Sequence, residues 1–192
     1  MHSQAVPSLL EALRTGTALL HVALEKRLPF FCEQLDANWY QRLLQAYYGF
    51  YGPMEAALYD SGLIPDGFDT VMRVKTPTLL NDLRALQLTE GAIHALPRCT
   101  EIPTLDSPAA CLGALYVLEG ATLGGQVLRR EMALRLDVNA DNGGAFLDVY
   151  GAVSPVLYTP PRARERGKPI VCPLLLVKNN KQYLTLLIVR HV

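Results

Sequence analysis

Apolar residues recur along this chain at helical spacing in several long segments, each bounded by recognisable start and stop signals. Ser8 followed three residues later by Glu11 forms a capping box, and it opens a helix predicted to run to Pro29. The apolar stripe of that helix is Leu10, Leu13, Leu20, Leu24 and Leu28. Asp36 is placed to cap a second helix from Ala37 to about Asp60, rich in aromatic residues from Trp39 to Tyr59. Gly52-Pro53 is expected to kink it, and Gly62 suits the left-handed position that closes a helix. Residues 64–75 read as a loop. Thr76-Pro77 then gives a cap followed by a first-turn proline for a third helix to about Leu88. A short helix is expected around Gly91–Leu96, a connector over Pro97–Asp106, and a turn at Asn139–Gly144 leading into a further helix over Gly144–Tyr150.

The longest predicted helix follows Ser107-Pro108 and ends near Leu136. Leu112, Leu115, Leu118, Leu123, Val127 and Leu128 give it helical periodicity, yet Gly120, Gly124 and Gly125 lie inside it. Each interior glycine costs about 0.5–1 kcal/mol relative to alanine, so bare backbone is needed at this place for some reason. Gly120 and Gly124 are four apart and share a face. The glycines alone fit close helix packing, a kink, or a platform for a flat ligand.

At 192 residues, with half of them hydrophobic, 19% charged and a net charge of zero, the composition is that of one folded globular domain. Zero net charge disfavours nucleic acid and anionic membrane surfaces as partners. No apolar run reaches the roughly 18–20 residues of a membrane span. Cys32, Cys99, Cys111 and Cys172 are scattered without zinc-like or CxxC spacing, and no signal peptide is recognisable, which together point to the cytoplasm.

The neutral total hides a step. Residues 151–192 carry seven Lys and Arg against one acid, a net +6, which leaves −6 for residues 1–150. The chain therefore divides into an all-α body, residues 1–150, and a basic and apolar tail, residues 151–192. Leu174–Val177 and Tyr183–Val189 flank Lys178-Asn-Asn-Lys181 and read as a β-hairpin, although two isolated strands are marginal in water and a disordered tail is the alternative.

Of four histidines, His2 and His191 sit near the termini, and His94 lies in the short helix. His21 stands apart. It shares a helix face with Thr17 and Glu25, one turn away on either side, and Glu25 is spaced to orient its imidazole. No HExxH, paired ExxH, GxSxG or P-loop pattern is present. One histidine is too few for a protein-only metal cage, whereas a macrocycle with four nitrogens of its own needs a single axial ligand.

Two motifs, about one hundred residues apart, carry a resemblance to a known family. Leu13-Arg14-x-x-Thr17-x-x-x-His21-x-x-x-Glu25 resembles the proximal helix of heme oxygenases, and Tyr116-Val-Leu-Glu-Gly120-Ala-Thr-Leu-Gly124-Gly125-Gln126 resembles their distal helix. The likeness covers about residues 8–150 and is greatest to bacterial enzymes that accompany bacteriophytochromes. It implies an all-α helical bundle that binds heme as cofactor and substrate. The expected reaction uses molecular oxygen and electrons from a ferredoxin or reductase to cut a meso carbon, giving biliverdin, carbon monoxide and ferrous iron. Biliverdin would pass to a phytochrome.

On that resemblance His21 is the iron ligand, with Thr17 and Glu25 beside it. Gly120 and Gly124 bring backbone close to the iron and Gly125 allows a bend. Tyr116 lines the pocket or packs in the core, and Arg14, Arg129 and Arg130 are candidates for the heme propionates. Mammalian relatives carry an aspartate where this chain has Ala121. The family also ends in a further amphipathic helix, which residues 152–192 do not resemble; a frameshift or a divergent tail would each account for that. A heme-binding or heme-trafficking protein without turnover is the alternative function. A thiaminase-like enzyme would need an activated cysteine, and Cys111 has no evident activating partner.

Overall fold

The computed structural model describes residues 15–16, 18–19, 22–23, 35–64 and 73–150, with only the backbone at 121–124 and 126–127. Arg14, Thr17, His21 and Glu25 lie outside the described residues, as does the tail 151–192 with its expected hairpin. Residues 15, 16, 18, 19, 22 and 23 are helical and exposed, and none belongs to the apolar stripe expected of the first helix.

Four further helices follow: α1 (Ala37–Asp60), α2 (Thr76–Ala85), α3 (Glu90–His94) and α4 (Pro108–Leu136). A 3-10 turn over Ala145–Asp148 closes the described part. No strand occurs among the described residues, so the architecture is all-α. No helix there is long and apolar enough to cross a membrane.

Helix α1 is the centre of the core. Tyr40, Leu43, Leu44, Tyr47, Phe50, Tyr51, Met54 and Leu58 are buried along it, against Leu79 and Leu83 of α2 and Ala114, Val117 and Leu118 of α4. Aromatic rings supply much of that burial: Phe146 sits 5.0 Å from Tyr47 and 5.3 Å from Tyr51, centroid to centroid. The helix starts as expected, with Asp36 Oδ1 accepting from the Trp39 amide at 2.6 Å. It ends at Ser61, and Gly62 takes the left-handed conformation at φ +62°.

Helix α1 runs unbroken through Gly52-Pro53. Pro53 has no N–H, so the Gly49 carbonyl, four residues earlier, loses its helical donor. The Cys99 amide replaces it at 2.9 Å. That approach brings the Pro97 carbonyl to the place where a Cβ on residue 49 would lie, which is why glycine is required there. The Arg98 guanidinium then stacks 3.9 Å over the Tyr48 ring and donates to the Tyr48 carbonyl at 3.2 Å.

Helix α2 differs from its sequence expectation at both ends. Thr76 is its first residue rather than its cap, and Lys75 at the cap position makes no side-chain capping bond. Glu55 of α1 does that work instead: its buried carboxylate accepts from the Lys75 amide (2.7 Å), the Thr76 amide (3.1 Å) and the Thr76 hydroxyl (2.6 Å). The helix stops at Ala85, short of Leu88, because Gln87 turns left-handed (φ +66°). The Leu88 and Gln87 amides return to the Leu83 and Arg84 carbonyls, a Schellman closure made without glycine.

The expected helix over Gly144–Tyr150 is only the 3-10 turn. Its first amides point at Asp82 of α2, which accepts from Ala145 at 3.0 Å and Phe146 at 2.7 Å. Burial outweighs these two bonds and pushes the Asp82 carboxyl above its usual value. The Tyr40 hydroxyl donates to the Gly143 carbonyl at 2.8 Å, and burial pushes that phenol up as well. The segment 144–150 is thus strapped across α2 and α4.

Candidate functional site

Helix α4 forms where the sequence places it. Ser107 accepts from the Ala110 amide at 3.2 Å, Pro108 occupies the first turn, and the helix runs 29 residues from Pro108 without a break. The three interior glycines do not end or interrupt it. It stops at Leu136, where Asp137 turns left-handed at φ +55°.

Leu112, Tyr116, Gly120 and Gly124 recur every four residues and so form one stripe along α4. At its upper end Leu112 and Tyr116 are 39% and 50% exposed, so Tyr116 does not pack in the core. Gly120 is buried. The stripe therefore passes from exposed apolar side chains at Leu112 and Tyr116 to a glycine without a side chain at Gly120. The faces away from it carry Cys111, Ala114, Leu115, Val117 and Leu118, all buried against the core.

Gly125 points elsewhere. A Cβ there would come within 3.2 Å of the Leu147 carbonyl oxygen, so this glycine admits the strap rather than serving a bend or the stripe. Arg129 pairs with Asp148 of the strap at 2.6 Å and is still 44% exposed, and Arg130 is exposed. His94 is exposed at the end of α3.

Beside the glycines lies a charged group that sequence reading did not single out. Glu119 Oε1 meets Lys75 Nζ at 2.8 Å and Arg73 at 3.3 Å, and the Tyr150 hydroxyl donates to Oε2 at 2.6 Å. Lys75 is only 1% exposed; it also donates to the Arg73 carbonyl at 3.0 Å and lies 5.5 Å from the Tyr150 ring. Burial and the Glu119 carboxylate push the Tyr150 phenol up, so it is a donor at neutral pH. One residue earlier, the Tyr51 hydroxyl donates to the Leu118 carbonyl at 3.0 Å, and burial raises this phenol too. The only signal in the sequence was a lone acid in an apolar run, Leu115–Gly120.

The cavity beside Glu55, Lys75 and Glu119 measures about 10 Å³, enough for a single water. A macrocycle has no room there.

Comparison with known proteins gives the same direction. The family model described as Heme oxygenase matches residues 7–155. A protein of Xanthomonas campestris pv. campestris (strain 8004) named Heme oxygenase is 34% identical over 101 residues. Those residues are 53% of this chain and 57% of that protein, little more than half of either. No solved structure gives a significant match. The family match spans both the segment around His21 and the whole of α4, and on that ground the chain belongs to the heme oxygenase family.

Proposed function

We propose that the protein binds heme against the α4 stripe and cleaves it at a meso carbon to biliverdin, carbon monoxide and ferrous iron. The observation that carries this reading is the Leu112–Tyr116–Gly120–Gly124 stripe, which joins exposed apolar side chains to bare backbone on one helix face. Heme, substrate as well as cofactor, supplies the iron at which oxygen is reduced with electrons from a ferredoxin or reductase.

The remaining roles fall to the chain. His21 is the proposed iron ligand, with Thr17 and Glu25 on the same helix face to orient its ring. Gly120 and Gly124 let the α4 backbone approach where any Cβ would intrude, and that crowding leaves one ring edge accessible. Tyr116 covers the apolar rim. Arg14 and Arg130 hold the propionates, whereas Arg129 lies on the far side of α4 and pairs with Asp148 instead. Biliverdin handed to a bacteriophytochrome in the cytoplasm would complete the role.

The test is reconstitution with hemin, followed by reductant under oxygen. Loss of the Soret band with growth of biliverdin absorption supports turnover. A Soret band that persists points to a heme-binding protein without turnover. His21→Ala should remove the native axial-ligand spectrum, and an unchanged spectrum would refute the ligand assignment.

A further inference from the structure

The strap meets α4 at three places that bracket the glycines. Tyr150 bonds Glu119 at 2.6 Å, Leu147 lies against Gly125, and Asp148 pairs with Arg129 at 2.6 Å. At 100° per residue, Gly125 and Arg129 lie on the side of α4 roughly opposite the Leu112–Gly124 stripe, and Glu119 lies on its flank. The strap therefore backs the glycine segment from behind. Such backing matters physically, because three glycines in six residues forgo about 2–3 kcal/mol of helix preference relative to alanine. That stretch of α4 is intrinsically the softest part of the helix.

We infer that Glu119 and Tyr150 are positioning residues. Their hydrogen bond, braced by Lys75, fixes the height at which the Gly120–Gly124 backbone is presented to the ligand. Neither residue touches the ligand in this account; both act through the helix. Lys75 is essential to the geometry because its buried ammonium fixes Glu119 Oε1 and leaves Oε2 for Tyr150. The chain separation is long: residues 75, 119 and 150 come from three segments, so the tie forms only when α2, α4 and the strap are all in place. The inference rests on reading α4 as the heme face.

Tyr150→Phe tests it in the full chain. The substitution keeps the ring and removes one hydroxyl from a half-buried site, so the protein should fold. Without hemin, amide hydrogen exchange over residues 120–125 should quicken at least tenfold, while the amides of Tyr40–Leu44 in α1 keep their native rates. No change over 120–125, or equal acceleration everywhere, overturns the inference. With hemin, reductant and oxygen, the variant should give a broadened mixture of biliverdin isomers compared with the native chain. Fast exchange with a native isomer pattern would reduce Tyr150 to a stability role and overturn the positioning claim. The exchange experiment uses no hemin, so a native chain that fails to bind hemin would refute the proposed function separately.

Discussion

Helices α1 and α4 both contain residues that ought to weaken a helix, and the structure treats them in opposite ways. In α1, Pro53 removes a donor and Gly49 removes a side chain, yet both defects are filled by one neighbouring segment. The Cys99 amide takes the orphaned Gly49 carbonyl, and the Pro97 carbonyl takes the space of the missing Cβ. In α4, Gly125 is filled in the same manner by Leu147, but the stripe through Gly120 and Gly124 continues from the half-exposed Leu112 and Tyr116. A glycine inside a helix announces that something approaches the backbone. What approaches is a matter of tertiary structure, and in one helix it is the protein itself while in the other it is proposed to be a ligand.

That contrast can be broken by substitution. Gly49→Ala should cost the most, about 2–3 kcal/mol in urea unfolding, because the new methyl overlaps a backbone carbonyl that cannot swing aside. A loss below about 0.5 kcal/mol would mean that the Pro97–Cys99 segment yields easily. Gly125→Ala should cost less, about 1 kcal/mol: a 3.2 Å approach to the Leu147 oxygen demands a small shift, and the gain in helix preference offsets part of it. Stabilisation by this variant would show that the strap is loosely seated.

Gly113→Ala provides the counterpart. It lies inside α4 with nothing within 4 Å of a built Cβ, so the change should stabilise the protein by about 0.5–1 kcal/mol. Any loss there would mean that bare backbone is needed at Gly113 too, and that the ligand face extends further up α4.

A smaller effect concerns the strap that backs α4. Asp82, which caps it, has a folded-state pKa raised above 3.8 by burial. In the window between 3.8 and that raised value the folded state binds more protons than the unfolded one, so this group stabilises increasingly as pH falls and the contribution is lost as pH rises. Native protein compared with Asp82→Asn should therefore gain stability relative to the variant on acidification from neutral pH. A relative loss would assign Asp82 a lowered pKa and a dominant role for its two amide bonds.

Local backbone chemistry was legible without coordinates. Asp36 and Ser107 cap the helices they were expected to cap, Gly62 closes α1, and α4 runs from Pro108 to Leu136 through its three glycines. The errors share a cause. The start of α2 and the form of the strap depart from local expectation because the groups that decide both lie far away in the chain. Glu55 is 21 residues from Thr76, and Asp82 is 64 from Phe146. Gln87 entered the left-handed region that a glycine would have announced.

By itself, then, the sequence determined the all-α class, the starts of α1 and α4, and the glycine stripe. These depend on spacing and on caps reaching three or four residues, and such interactions are written in adjacent letters. Only the tertiary structure decided which glycines face protein, which carboxylate caps which helix, and that Lys75, Glu119 and Tyr150 meet. A buried ion or hydrogen bond gains its strength from desolvation in a formed core, and no local pattern records which distant side chain will share that core.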